Sequence, residues 1–323
     1  MVKLPKRRVR IASRGSRLAL WQAETVRELL LASDTDLEVE ISIIRTTGDR
    51  VTDVPLARIG GRGLFTREVD DALLDGRADI AVHSLKDVPT TLPDGLVLAA
   101  LTEREDPRDV LIGPAGTVTS LEALPPGARV GTSSLRRRAQ LRRIRPDLEV
   151  IDLRGNLDTR LNRLDEGAYD AIILAAAGMV RLGWAERISS HLPSDSWLPA
   201  VGQGALGIVV REGDTTSFDT VRVLHHPESA AAVTAERSFL GGLEGGCQVP
   251  IGALATVKDG ELSIDGFVAD LEGNAFLRER ITGSAENAAV LGETLARRLI
   301  RDGANEILDA VRASVGGPEI PSP

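Results

Sequence analysis

Cys247 is the sole cysteine in 323 residues and stands within Leu243-Glu-Gly-Gly-Cys-Gln-Val-Pro-Ile-Gly252. A lone thiol forms no intrachain disulfide and does not by itself complete a thiolate metal site. Two readings stay open, an inert buried residue or a reactive sulfur, and the paired glycines favour a loop that presents a side chain into a cleft. Other chemistry-bearing residues gather in short runs: Ser13-Arg-Gly-Ser-Arg17, His83-Ser-Leu-Lys-Asp-Val-Pro89, Gly131-Thr-Ser-Ser-Leu-Arg-Arg-Arg138 and Leu153-Arg-Gly-Asn156. Taken singly, each is a helix cap or a solvated face. Taken together, they combine hydroxyls and backbone N–H groups at helix starts with arginine forks that match carboxylates bidentately, which is the chemistry of a cationic site for a polycarboxylate.

The elements that must position these runs follow from the hydrophobic pattern. Arg8 to Ser13 reads as a buried strand entering a helix from about Ser16 to Ala32, and Glu38 to Thr46 as a second strand. A helix over Leu64 to Leu74 leads to a strand at Ala78 to His83. The alternation resumes with strands at Ala128 to Gly131, Glu149 to Leu153 and Tyr169 to Leu174, which predicts α/β sheets with helices on both faces. In such sheets ligands bind beyond the carboxyl ends of the strands, where the loaded runs fall. After Leu224 the pattern changes. A helix over Glu228 to Leu240, strands near 250–257, 261–269 and 275–282, an Asp259-Gly260 hairpin signal and a helix from about Ala285 to Asp302 predict a separate α+β module. The Pro- and Gly-rich tail 316–323 reads as disordered.

Composition narrows the function classes. The net charge of −8 argues against a general nucleic-acid surface. The basic N-terminus is followed by neither an apolar signal segment nor a stretch long enough to span a membrane, so with one unpaired cysteine the expectation is a cytoplasmic protein. Lysine occurs only at positions 3, 6, 86 and 258, so 35 of the 39 basic residues are arginine, a preference that the positions of the arginines make chemically relevant. His83, His191, His225 and His226 lack metal-ligand spacing and a serine or cysteine partner, and no metal is expected.

Five motifs, in order, carry a resemblance: Val82-His-Ser-Leu-Lys-Asp-Val-Pro89, Gly131-Thr-Ser-Ser-Leu-Arg-Arg137, Leu153-Arg-Gly-Asn-Leu-Asp-Thr-Arg160, Pro199-Ala-Val-Gly-Gln-Gly-Ala205 and Glu244-Gly-Gly-Cys-Gln-Val-Pro-Ile-Gly252. From about Arg8 to Arg312 the chain resembles the hydroxymethylbilane synthase, or porphobilinogen deaminase, family. The resemblance implies two α/β domains like those of periplasmic solute-binding proteins, at 1–104 with 200–222 and at 105–199, and a smaller α+β domain at 223–315. It implies a transferase of tetrapyrrole and heme biosynthesis that joins four porphobilinogen molecules head to tail with release of ammonia, water then freeing 1-hydroxymethylbilane. A dipyrromethane cofactor on a thioether to Cys247 serves as primer, and the enzyme acts as a monomer.

The same resemblance implies residue roles. Asp87 is the catalytic carboxylate, beside the pyrrole N–H groups where positive charge develops, and Arg14 assists departure of the amine or holds a substrate acid. Ser84, Lys86, Thr132, Ser133, Ser134, Arg136, Arg137, Arg154 and Arg160 bind the cofactor with Cys247, while Ser16, Gln22, Arg58, Arg62, Phe65 and Arg181 face the substrate. Two departures stand out: Arg58 and Arg62 replace lysines common in relatives, and Arg17 stands where proline is common. The competing class is a solute-binding module that closes on an acidic ligand without chemistry, for which the third domain and its cysteine loop have no use. A cysteine hydrolase is weaker still, since no base-orienting histidine motif is present.

Overall fold

The computed structural model describes residues 7–47, 66–114, 117–243 and 249–315. The expectations for Arg58, Arg62, Phe65, Cys247 and the tail 316–323 lie outside the described residues.

The first lobe begins with β1 (Arg7–Arg14), α1 (Arg17–Ser33), β2 (Leu37–Ile44), α2 (Arg67–Leu74), β3 (Ile80–Ser84) and β4 (Leu96–Leu101). The chain then crosses to the second lobe, with β5 (Asp109–Ile112), β6 (Arg129–Gly131), α3 (Leu135–Ile144), β7 (Glu149–Ile151), α4 (Leu157–Asp165), β8 (Ala171–Ala175), α5 (Ala176–Arg181) and β9 (Ser190–His191). It returns as β10 (Leu206–Arg211) and α6 (Thr215–Val221) before the third module: α7 (Pro227–Gly242), β11 (Ile251–Lys258), β12 (Glu261–Ala269), β13 (Phe276–Ser284), α8 (Ala288–Arg301) and α9 (Ala304–Val315).

The first two sheets repeat one topology. Strand order is β2-β1-β3-β10-β4 in the first and β7-β6-β8-β5-β9 in the second. In each, three parallel strands are followed by one antiparallel strand supplied directly by a crossing segment: β10 against β3, and β5 against β8. This reversal places the site. Leu206 at the start of β10 lies beside Ser84 at the end of β3, and Asp109 at the start of β5 beside Ala175 at the end of β8. Both crossing segments therefore run past the carboxyl edges of both sheets, the side on which open α/β sheets bind ligands.

Apolar residues cover both faces of each sheet, as parallel strands require. Val9, Ile11, Ile80, Val82 and Ile208 pack under α1, and Ala12, Ala81 and Val209 pack against Val69 and Leu73 of α2. The third module is an antiparallel meander, β11-β12-β13, covered by α7 and α8, with Phe239, Ile264 and Leu295 at its centre. Asp259 (φ 51°) and Gly260 (φ 79°) form its first hairpin, the conformation that Asp-Gly favours. The predicted helix from Ala285 to Asp302 is instead a 3-10 turn at Ala285–Asn287 leading into α8.

Candidate functional site at the carboxyl edges of two sheets

Ser84 ends β3, and the chain turns at once through a 3-10 segment, Leu85–Asp87. Leu85 is buried and anchors the turn in a cluster with Val88, Leu101, Ala205 and Val233. The neighbouring Lys86 and Asp87 are only half-buried and sit on an otherwise immobilised turn. Gln22, buried on α1, donates from Nε2 to Ser84 Oγ at 2.7 Å. Arg14 closes β1, and Ser16 caps α1 by accepting from the Ala19 N–H at 3.3 Å.

The second lobe supplies the cations. Ser134 caps α3, accepting from the Arg137 N–H at 3.5 Å. Ser133 Oγ donates to the Leu153 carbonyl and accepts from the Leu153 N–H, tying the start of α3 to the residue that precedes Arg154. Thr132 is buried, and its Oγ1 accepts from the Ser134 N–H. Ser133 and Ser134 thus shape the two arginine-bearing loops.

Arg136 and Arg137 are buried and converge on one carboxylate. Arg136 Nη1 lies 2.7 Å from Asp109 Oδ2 and Arg137 Nη2 lies 2.7 Å from Asp109 Oδ1. Arg136 also donates to the Leu198 carbonyl and Arg137 to the Ile173 carbonyl. Asp109 accepts further from Trp197 Nε1 at 2.8 Å and Gln203 Nε2 at 2.9 Å. Burial alone would push this carboxyl up; the two guanidinium groups overcome it and hold it well below the usual carboxylate range.

Arg160 donates from Nε to the Gly155 carbonyl, and burial, reinforced by Arg137 and opposed by Asp87, brings its guanidinium down to about 10. Arg154 Nη1 and Arg137 Nε are buried with no hydrogen-bond partner among the described residues. Lys86 is brought down to about 8, chiefly by burial, with Asp87 and Asp109 pulling it up and Arg137 and Arg136 pushing it down. Gln203, which accepts from Lys86 Nζ and donates to Asp109, links the catalytic-motif turn of the first lobe to Arg136 and Arg137 of the second, and Asp87 and Arg154 lie close enough to act on the charge of Arg160. Arg181 stands elsewhere on the lobe boundary, donating to the Gly204 carbonyl at 2.6 Å with its guanidinium 5.8 Å from the ring of Trp21.

The third module reaches the same place. Gly252, the second residue of β11, packs against the second lobe: an added Cβ would lie 3.0 Å from Arg136 Cδ and 2.5 Å from the Phe267 ring, so a larger residue would drive the strand off the arginine stem. The Ala253 N–H donates to the Pro199 carbonyl. Cys247 precedes Gly252 by a few residues in the sequence.

Residues 9–219 match the family model for the porphobilinogen deaminase, dipyromethane cofactor binding domain, and residues 230–301 match that for the porphobilinogen deaminase C-terminal domain. The chain belongs to the porphobilinogen deaminase family. The porphobilinogen deaminase of Pelobacter propionicus is 49% identical, with 95% of this chain and 98% of that protein covered. That of Moorella thermoacetica is 51% identical, with 95% and 98% covered. Among solved structures, the periplasmic VFT2 domain of Bordetella pertussis BvgS aligns at 17% identity and a TM-score of 0.40, covering 68% of this chain and 86% of that one.

Membership accounts for the cofactor-binding character of the first two lobes and leaves the non-catalytic solute-binding alternative unfavoured. The residues present fit a dipyrromethane carrying acetate and propionate groups. Lys86, Arg136, Arg137, Arg154 and Arg160 outnumber Asp87 and Asp109, and Arg154 Nη1 and Arg137 Nε retain unused buried donors. Two residues of this constellation escaped the sequence reading. Asp109 lies in Arg104-Glu-Asp-Pro-Arg-Asp109, a charge run that reads as solvated loop, and Gln203 lies inside a quoted motif with no role attached. Glycines on both sides of Gln203 were the available signal. Among the described residues no helix is long and apolar enough to cross a membrane.

Proposed function

We propose that the chain condenses four porphobilinogen molecules head to tail, each addition forming one carbon–carbon bond and releasing one ammonia, and that water then frees 1-hydroxymethylbilane. The dipyrromethane cofactor supplies the nucleophilic pyrrole carbon that begins the chain, and Cys247 is the residue that holds it. The division of labour is 1–104 with 200–222 for the catalytic turn, 105–199 for the cationic wall, and 223–315 for the cofactor-bearing cysteine. The enzyme acts as a cytoplasmic monomer.

The observation that carries this reading is the convergence of one half-buried carboxylate, Asp87, with an arginine wall that has unused buried donors. Loss of ammonia leaves an electron-poor pyrrole, and a carboxylate fixed beside its N–H groups stabilises the positive charge more in the transition state than in the ground state. Leu85 fixes Asp87 on its turn, so little reorganisation accompanies that stabilisation. Each added unit brings two more carboxylates. Arg154 and Arg160 stand free of carboxylate hydrogen bonds among the described residues and receive them, whereas Arg136 and Arg137 reach outward from a fixed anchor at Asp109.

Intact mass and Ehrlich's reagent test the reading together. Wild-type protein from a host that makes porphobilinogen carries added mass, reacts as a pyrrole and turns over porphobilinogen; Cys247→Ser carries none of that mass. Asp87→Ala keeps the mass and the fold and loses turnover by at least about 100-fold. An unmodified Cys247 in fully active protein would overturn the attachment. Near-normal turnover in cofactor-loaded Asp87→Ala would move the catalytic role to another group.

A further inference from the structure

Gln203 lies where the two crossing segments meet, and its side chain is 1% exposed. Gly202 and Gly204 on either side both take positive φ, 70° and 95°, so the chain turns sharply and drives the glutamine inward. Its amide makes three contacts with three parts of the molecule. Nε2 donates to the Pro107 carbonyl at 2.7 Å in the outgoing crossing segment and to Asp109 Oδ1 at 2.9 Å in the second lobe. Lys86 Nζ, on the catalytic turn of the first lobe, donates to Oε1 at 3.4 Å.

The contacts of Nε2 settle which way the amide faces. Both of its hydrogens meet acceptors that cannot donate, a carbonyl and an ionised carboxylate, so the oxygen must face Lys86. A flipped amide would set oxygen against oxygen twice and nitrogen against an ammonium. The orientation is therefore dictated by the crossing segments and is imposed on the lysine. Through Asp109 the same amide is tied to Arg136 and Arg137.

We infer that Gln203 is a positioning residue for the condensation: it holds the Lys86 ammonium in fixed register with the Arg136–Arg137 pair across the junction of the two lobes. This rests on the functional reading above, in which Lys86 and the arginine pair grip acids of one cofactor. Such a grip fails if the cations drift apart, and Gln203 bonds both to Lys86 and to the carboxylate that fixes the arginines. Among the groups acting on Lys86 are Asp87 on its own turn, Asp109 from β5, and Arg136 and Arg137 from α3. Loss of the Gln203 oxygen removes one acceptor from the ammonium and lowers its proton affinity further.

The test compares Gln203→Met, which keeps size and loses all three contacts, with Gln203→Glu, which keeps an acceptor toward Lys86 but sets a carboxylate against Asp109. Each is made in wild type and in Lys86→Met, and cofactor mass, kcat, KM for porphobilinogen and the alkaline limb of the pH profile are measured on the holoenzymes. Gln203→Met is expected to lower kcat on the order of 10- to 100-fold in wild type and by no more than about 2-fold in Lys86→Met, the non-additivity of two residues acting as one unit. Its alkaline limb moves to lower pH, and that of Gln203→Glu to higher pH. A purely structural role would lower thermal stability, leave the limbs in place and give equal losses in both backgrounds. That result, or unchanged kcat, overturns the proposal; should Gln203→Met not fold, the direction of the Gln203→Glu limb decides it. A wild type with neither cofactor mass nor turnover overturns the functional reading itself, whereas an active wild type with unaffected variants overturns only the role of Gln203.

Discussion

Arginines that look alike in the sequence do different work once their partners are known. Arg137 neutralises a buried carboxylate, so Arg137→Ala leaves Asp109 short of a charge partner and should destabilise the fold by roughly 3–5 kcal/mol. Arg154 has a buried Nη1 without a partner among the described residues, and Arg154→Ala should stay within about 0.5 kcal/mol of wild type while accumulating covalent intermediates that stop short of the full chain. Urea melts and intact masses separate the two cases; equal destabilisation would show that the Asp109 anchor is not what distinguishes them. Another residue-scale tension lies behind β3. Asp70 is pushed up to about 6 and His83 down to about 4, both chiefly by burial, with Asp70 Oδ1 and His83 Nε2 3.8 Å apart. A carboxyl whose native pKa exceeds its unfolded one binds its proton more tightly when folded, so its contribution is full below about pH 4 and is lost as pH rises through about 6. Asp70→Asn should therefore be more stable than wild type by roughly 2 kcal/mol at pH 8, with the gap narrowing at pH 5. A gap independent of pH would mean that Asp70 is not the titrating group.

At the scale of elements, strand and helix existence was legible wherever one period dominated: α1, α2, α7 and the three strands of the third module stand within a few residues of where the pattern put them. Less legible were β4, β5 and β10, whose short apolar runs carry no period of their own and are defined by partners far away in the chain. The cost of missing β10 and β5 was functional, because their antiparallel insertion is what carries Gln203 and Asp109 to the carboxyl edges. Asp87, by contrast, was reachable through its motif. The return turn between the lobes gives an element-scale prediction. Gly204 has φ 95°, and an added Cβ would lie 2.3 Å from the Glu105 carbonyl oxygen, so the two crossing segments touch through a glycine that has no room for a side chain. Gly204→Ala combines backbone strain with a clash against main chain and should lower stability by more than about 2 kcal/mol, well beyond the ordinary gain from replacing glycine. Because the Gly204 carbonyl also accepts from Arg181, the variant should raise KM more than Gly213→Ala, a surface glycine of positive φ with nothing near it. Equal behaviour of the two variants would show that the contact of the crossing segments is dispensable.

At the scale of the whole molecule, one side chain of the third module bonds to both crossing segments at once. Glu236 of α7 is fully buried and accepts from Arg104 Nη1 at 2.6 Å, Arg104 Nη2 at 3.2 Å, the Gly202 N–H at 2.7 Å and the Ala255 N–H at 2.8 Å. Those donors belong to the outgoing crossing segment, the returning one and β11, so a single carboxylate ties the third module to both segments that cross between the lobes. A buried carboxylate with four donors is stable only as a complete set, and removing it strands a guanidinium and two N–H groups away from water. Glu236→Ala should therefore weaken the assembly by roughly 3–5 kcal/mol, and the weakening should appear as lost cooperativity. The protein has three tryptophans, Trp21, Trp184 and Trp197, all in the first two lobes, so their fluorescence follows the lobes alone, while far-ultraviolet dichroism follows the third module as well. In wild type the two signals should change together in urea; in Glu236→Ala the dichroism should begin to fall first, as the third module loosens from lobes that still hold. Such a variant would keep Asp87 and the arginine wall intact and yet lose activity at low urea, because Gly252 is where β11 packs against the stem of Arg136. If the two signals stay superimposed and the midpoint barely moves, the modules are held together by their apolar contacts, and Glu236 is only one satisfied charge among several.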